Sequence, residues 1–291
     1  MELNTKTSYL GFKPFKVIGI GATFSPNLKA NLYEASRLAM YFGAKLVLIH
    51  VGEHTQEKYN KFNAILAPFI KEGLEHEVIF TPGDPVEVIL KTTDDLSIDL
   101  LIIGALQREN FLNYYVGSIA RKITRKAKCS ILLLIKPSID RITCNHIVVN
   151  GLEDPKTKQT MSAAFYVSHK LGSGRITIVE EISREEVAVN VEDDITLRKA
   201  TIAREKLSRR ENSRVQEIID TIPEEYKQKV NIKTQPIFGR RGYSIGHYAE
   251  VVRADLLVMN APSKVGFWDR LFPHDIEHIL TELPTDVLIV Q

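Results

Sequence analysis

The chain has 291 residues, 44% of them hydrophobic and 25% charged, with 38 basic against 36 acidic side chains. That length suits two domains of about 145 residues, and the composition excludes collagen-like, low-complexity and disordered chains. The balanced charge excludes a general nucleic-acid binder, which needs a basic excess, and two cysteines, Cys129 and Cys144, exclude a disulfide framework and suit a reducing compartment.

The opening MELNTKTSYL lacks the basic and then apolar regions of a secretory signal. The longest apolar runs, at 100–106 and 131–135, fall far short of the roughly 18–20 residues a membrane span needs. A cytoplasmic protein with no membrane partner is expected.

In chain order, Val17 to Ile20 reads as a short apolar strand. Ser25 and Pro26 supply an N-cap and an N1 proline. Leu28, Leu32, Ala35, Leu38, Ala39 and Phe42 then recur at helical spacing until Gly43 stops the helix. Lys45 to Val51 is a second strand, Phe62 to Ile70 marks a helix that Pro68 kinks, and Glu77 to Phe80 is a third strand. The turn Thr81-Pro82-Gly83-Asp84-Pro85 leads into a helix carrying Val86, Ile89 and Leu90. Strand Leu100 to Ile103, a long loop, helix Ile119 to Ala127 and strand Ile131 to Ile135 close the first half.

The pattern then recurs. Residues 146–181 repeat 16–51 at an offset of 130. DLLVMNA at 255–261 repeats DLLIIGA at 99–105, and DVLIVQ at 286–291 repeats SILLLI at 130–135, both at an offset of 156. The second copy therefore carries about 26 extra residues in its middle, the mark of a duplicated domain rather than a short-period solenoid. Short apolar strands alternating with helices imply parallel pairing with both sheet faces covered. Such sheets bind ligands beyond the carboxyl ends of their strands.

The most informative stretch follows the fourth strand: Gly104-Ala105-Leu106-Gln107, nine residues, then Gly117-Ser118 opening a helix. Free backbone N–H groups at a helix start make a phosphate cradle. Here the chain resembles the universal stress protein family, whose nucleotide-binding members carry a glycine, two residues, a glycine, nine residues, then glycine and serine or threonine. The turn Phe24-Ser25-Pro26-Asn27, the helix stop Phe42-Gly43-Ala44, the strand end His50-Val51 and the turn Gly83-Asp84-Pro85 fit the same family. The likeness covers both repeats, so the chain is similar to a tandem universal stress protein.

The resemblance implies an adenine nucleotide, ATP with Mg among the candidates, held in the first repeat. Gly104, Gly117 and Ser118 match the phosphate and ribose loop, Ile103 and Ile119 flank it, and Val51 matches the residue whose backbone reads adenine. Thr23 stands where the family usually has an aspartate on the ribose hydroxyls, and Gln107 replaces the second glycine. Losing a charged hydrogen bond costs about 1.5–3 kcal/mol. A left-handed backbone at Gln107, if the turn needs one, adds roughly 1–2 kcal/mol. In the second repeat the matched positions are Asn260, Ser263, Pro273 and His274, so the phosphate loop reads as degenerate, with Glu153 or Asp154 near the ribose-acid position.

Other motifs are weaker. His274-Asp275-Ile276-Glu277-His278 matches the H-x-x-E-H pattern of a zinc peptidase family. It falls on the last helix, however, where the first repeat has Ser118 and Lys122. A metal-dependent hydrolase at His274 and His278 is thus the remote alternative. Cys144-Asn145-His146 offers two ligand types, which do not make a site. Arg198 to Arg214 is a basic stretch within the extra segment. It grips an acidic partner or nucleic acid, or is a long solvated helix with Ile195, Ile202 and Leu207 touching the sheet. Arg121, Lys122, Arg125, Lys126 and Lys128 form a second cluster, and Gly266 to Phe272 an aromatic run holding the only tryptophan. No Gly-x-Ser-x-Gly elbow, P-loop or His-x-Gly-His signature is present, so no enzyme is expected.

The expected fold is two flavodoxin-like (HUP-type) α/β domains, 1–139 and 140–291. Each is a doubly wound parallel five-stranded sheet, and the two are related by a pseudo-twofold axis. In the family the chain resembles, two such domains commonly associate through their last strands, so the resemblance implies that Ile131–Ile135 and Val287–Val290 pair, giving an intramolecular pseudodimer open to further self-association. The expected function is a cytoplasmic stress-response regulator that binds adenine nucleotide in its first half. The alternative is an interaction scaffold for a protein partner; nucleic acid is not expected.

Overall fold

The structure, a computed structural model, describes residues 11–107, 114–183, 192–240, 242–261 and 279–291. Its first-half elements are β1 (Val17–Gly21), α1 (Leu28–Phe42), β2 (Lys45–Val51), α2 (Gln56–Lys71), β3 (His76–Thr81), α3 (Pro85–Asp95), β4 (Leu100–Gly104), β5 (Leu106–Gln107), β6 (Tyr114–Tyr115), α4 (Ser118–Lys126) and β7 (Ser130–Leu134). Then come β8 (His146–Asn150), α5 (Thr157–Leu171), β9 (Arg175–Ser183), α6 (Asp194–Asp220), α7 (Glu224–Lys227), β10 (Asn231–Gly239), α8 (Tyr243–Val251), β11 (Leu256–Asn260) and β12 (Asp286–Val290). The chain forms two compact units, Pro14–Thr143 with Leu280–Gln291, and Cys144–Ile279 with 11–13. The sequence division near residue 140 thus corresponds to Cys144, and the last twelve residues cluster with the first unit.

In the first unit the strands lie in the order β12-β7-β4-β1-β2-β3. All neighbours are parallel except β12 and β7, whose antiparallel register pairs Val287 with Leu133, Leu288 with Leu132 and Ile289 with Ile131. The pairing of the two final strands read from the sequence is therefore present. It is pinned at the margin by Asp286, whose Oδ1 accepts the Ile135 N–H at 2.8 Å. Central strands are fully covered, as parallel pairing requires: Ile18, Leu46, Leu48, Leu101 and Leu133 have no exposed surface.

Helix α1 buries the stripe Leu28, Leu32, Ala35, Ala39 and Phe42 and ends on Gly43 at φ 63°, where glycine adopts the left-handed cap without a Cβ penalty. Its start differs from the sequence expectation. Ser25 and Pro26 form a turn closed by Leu28 N–H to Ser25 C=O at 3.0 Å, and Asn27 is the N-cap. Proline presets the first central position of such a turn as readily as it opens a helix. Helix α2 starts earlier than its apolar run, because Thr55 caps it by accepting the Lys58 N–H.

In the second unit the order is β10-β9-β8-β11, all parallel. Pro236 lies on β10, the strand at the end of that order, where a missing N–H leaves no partner unserved. Comparing ladders places the insertion within the repeat: Leu46 pairs with His76, and Ile176 with Ile232. The extra residues therefore lie wholly between β9 and β10. A smaller shift is also visible. Gly21 pairs with Ile49 and Asn150 with Val179, so the offset is 129 for the first strand and 130 only from the second.

Helix α6 is the expected long helix, but its contact face is not the expected one. Ala200, Glu211, Val215 and Ile219 are buried, whereas Ile195 and Ile202 are 64% and 53% exposed and Leu207 is half-buried. The buried set recurs every four residues near the C-terminal end, while the N-terminal half adds only Ala200 to it and lays Arg204 over the Phe238 ring of β10.

Candidate functional site

Parallel strands β2, β1 and β4 end at one edge of the first unit, and each delivers a sequence-predicted residue there. Thr23 follows β1, Val51 ends β2, and Ile103 and Gly104 end β4. Gly117, Ser118 and Ile119 open α4. Thr23, Gly104, Ser118 and Ile119 are exposed; Val51, Ile103 and Gly117 are half-buried.

Gly117 is the N-cap of α4 and has no side chain to cover the first N–H groups, and the first turn contains no acidic residue. Those donors, with the positive helix end, suit an anion. Arg121 in the same helix is committed elsewhere: its Nε donates to Val116 C=O and its guanidinium to Leu280 C=O at 3.2 Å. Lys128 pairs with Asp94 at 2.6 Å. The basic cluster after the loop is thus partly structural.

Two details were not legible in the sequence. Gly104 faces the Asn31 carboxamide, so a Cβ at position 104 would lie 3.4 Å from its oxygen and its nitrogen. Asn31 Oδ1 is buried and has no hydrogen-bond partner. Asn31 had no motif to mark it, because it reads as a polar position on an amphipathic helix. The second detail is a correction at Gln107. It does not adopt a left-handed backbone but pairs with Tyr114, as Leu106 does with Tyr115. A two-strand ladder replaces the glycine turn, so the strain expected at position 107 is absent.

At the end of β2, His50 is buried among aromatic rings and Nδ1 donates to Ala22 C=O at 2.8 Å. Phe24 stacks on Phe62 with ring centres 4.9 Å apart and meets His50 edge-on at 5.2 Å. The side of the site next to Val51 is therefore walled by aromatic carbon.

The second unit is built differently at the matching edge. Asn260 Nδ2 donates to Thr157 Oγ1 at 3.2 Å, and Lys156 Nζ donates to Ala261 C=O at 3.3 Å. Asp154 caps its own turn through Lys156 N–H at 2.8 Å. By the strand register Leu152, not Glu153, stands at the place of Thr23. Ser263, Pro273, His274, His278 and the Gly266 to Phe272 run lie outside the described residues.

The remaining motifs resolve simply. His146 donates from Nε2 to Thr177 Oγ1 at 2.9 Å and accepts Arg175 at Nδ1, also at 2.9 Å, so both ring nitrogens are used. Burial and the Arg175 charge hold it below the ordinary histidine range. Burial pushes the Cys129 thiol up to about 12. Among the described residues no group of His, Cys, Asp and Glu could hold a metal ion, and no helix is long and apolar enough to cross a membrane.

Beside the degenerate loop lies a feature that sequence reading missed. Glu180 and Glu181 end the apolar stretch of β9 and are 1% and 4% exposed. Glu181 accepts the N–H groups of Gly242 and Ile245 at 3.0 and 2.8 Å, capping α8. Glu180 makes no hydrogen bond through either oxygen. Its neighbour Glu211 on α6 is held by Arg210 and Arg214 at 2.7 and 2.9 Å. The signal was the pair of adjacent acids inside RITIVEEI, which a polar-outside reading passes over.

Residues 52–134 match the family model of the universal stress protein family. No curated protein matches the sequence. Among solved structures, a functionally unknown protein from Pseudomonas aeruginosa PAO1 is 16% identical, with a TM-score of 0.68 over 95% of this chain and 92% of that one. A universal stress protein from Archaeoglobus fulgidus DSM 4304 is 13% identical, with a TM-score of 0.62 over 94% of this chain and 98% of that one. Residues 52–134 thus match the universal stress protein family within a fold that a solved universal stress protein shares along nearly its whole length.

Proposed function

We propose that the chain is a cytoplasmic stress-response regulator whose first unit binds an adenine nucleotide, with Mg accompanying the phosphates. The observations that carry this reading are the start of α4, which no side chain caps, and Gly104 at the end of β4 facing the buried Asn31 carboxamide, whose Oδ1 has no partner. In this arrangement the N–H groups at Gly117, Ser118 and Ile119 receive phosphate, Thr23 offers one oxygen to ribose, and the Val51 backbone reads adenine beside Ile103. Thr23 cannot supply the charge of an aspartate, so binding is weak, in the high micromolar to millimolar range. No catalytic step is assigned to the site: no acid–base pair stands among these residues.

Calorimetric titration with Mg-ATP to millimolar concentration tests the proposal. Saturable heat near one site per chain is the expected result. No heat, together with an unchanged melting temperature, overturns it. A second reading, an interaction scaffold, rests on α6, where Ile195, Leu197 and Ile202 are more than half exposed beside Arg198 and Lys199. It predicts no nucleotide binding and loss of a protein partner when those three apolar residues are made polar.

A further inference from the structure

We infer that the cleft at the carboxyl ends of β8 and β9 is a binding site for an aliphatic primary amine, its ammonium head received by Glu180 and its carbon chain by Leu152 and Ile182. The cleft is open to solvent and lies wholly in the second unit. It sits where open parallel sheets take ligands, yet its chemistry is unlike that of the first unit.

The two repeats furnish this place differently. By strand register Glu180 stands at the place of His50, and Gly151 at that of Ala22. In the first unit the His50 ring satisfies itself on Ala22 C=O. In the second, Gly151 C=O accepts Arg214 instead, leaving Glu180 with two buried acceptor oxygens and no donor. The nearby arginines do not supply one. Arg210 Nε and Arg214 Nε are spent on the two oxygens of Glu211, at 2.9 and 3.0 Å. A buried, unpartnered carboxyl is costly in a folded chain, and native structures rarely leave one without a purpose.

Charge and shape select the ligand. The lining holds Glu153, Glu180, Glu181 and Glu211 against Arg210 and Arg214, an acidic excess that favours a cation. Among the described residues no three ligands converge on a metal. A donor cation is therefore the better match, and an ammonium group carries three N–H donors. Leu152 and Ile182, both buried, add an apolar wall along which an alkyl chain lies.

Binding displaces a proton. Burial first, then the Glu211 charge, raise the Glu180 carboxyl to about 7, and Arg214 only partly offsets them. Glu153 faces the same cleft from the loop after β8, Glu181 belongs to the same strand but caps α8, and the β10 residue paired with Glu180 is the uncharged Pro236. An alkylammonium keeps its own proton throughout this range, its pKa lying near that of lysine at about 10. Affinity for it therefore follows ionisation of Glu180 and is about tenfold greater at pH 8 than at pH 6.

The test uses the full chain in phosphate buffer free of amines, titrated with methylammonium chloride and with 1,4-diaminobutane, and with sodium chloride as the ionic control. Backbone amide shifts in NMR report the location, and titrations at pH 6, 7 and 8 the proton linkage. The expected result is saturable binding with shifts centred on Gly151, Glu180, Ile182 and Glu211, about tenfold tighter at pH 8 than at pH 6, and abolished in Glu180→Gln. That variant keeps the shape of the protonated acid, and its melting temperature reports that it folds. Absence of saturable binding by both amines overturns the inference. So does unchanged binding by Glu180→Gln, a flat pH dependence, or equal shifts with sodium chloride.

Discussion

Replacing Glu180 with Gln should make the protein more stable at pH 8 while changing little at pH 4.5. The folded-state carboxyl titrates at about 7 against an ordinary 4.5, because it is 1% exposed and lies beside Glu211. Between those values the folded chain retains a proton that the unfolded chain has released. Stability therefore falls as pH rises from about 4.5 to about 7, and is level above that. A tenfold change in an acid's ionisation constant is worth about 1.36 kcal/mol, so the ionised Glu180 costs about 3 kcal/mol at pH 8. Glutamine carries no such penalty and mimics the neutral acid. Urea unfolding followed by circular dichroism, in phosphate–citrate without amines, gives the difference between the two chains at pH 4.5, 6, 7 and 8. The contribution of the lowered His146 is common to both chains and cancels, whereas Glu211, which loses its neighbour's charge in the variant, is part of the measured difference. A difference that grows by about 3 kcal/mol across the range is expected. Parallel curves would refute this, because Glu180 would then ionise at its ordinary value.

Three further outcomes follow from the same geometry. Gly151→Ala places a Cβ 2.7 Å from Ile178 Cγ2 and 3.1 Å from Val179 C=O, both held in a covered ladder, so urea unfolding should show a loss of roughly 1–3 kcal/mol. Asn31→Asp sets a negative charge beside Gly104 without changing shape; Mg-ATP affinity by calorimetry should fall at least about tenfold, the effect of about 1.4 kcal/mol of repulsion. With its thiol at about 12 and 7% exposed, Cys129 should resist alkylation at pH 8. Mass spectrometry of the native protein should show label only at the half-buried Cys144, and at both cysteines once the chain is unfolded.

Most strands and helices were legible because their signals are local. The run Lys45 to Val51 is both the predicted and the observed β2, and Gly43 ends α1 in the left-handed conformation its position implied. The duplication was legible too, and so was the 26-residue excess of the second copy between β9 and β10. Helix starts were less so: Ser25 and Pro26 suit a turn and a helix start equally, and only packing of Leu28 decides between them. The contact face of α6 was misread since its N-terminal half has apolar residues, Ile195, Leu197 and Ile202, that nothing in that unit covers among the described residues.

The amino-acid sequence by itself determined the α/β class and the two repeats; the pairing of the final strands and the candidate positions Thr23, Val51, Gly104 and Gly117 followed from its resemblance to the universal stress protein family. Periodicity and parallel connection impose the class and the repeats, and both are written along the chain. Only the tertiary structure decided how each edge is furnished. Asn31 meets Gly104 across 73 positions, and Glu211 and Arg214 come to Glu180 from a helix begun fourteen residues after it. Whether a carboxyl is satisfied depends on which distant donors reach it, a three-dimensional sum that no local pattern encodes.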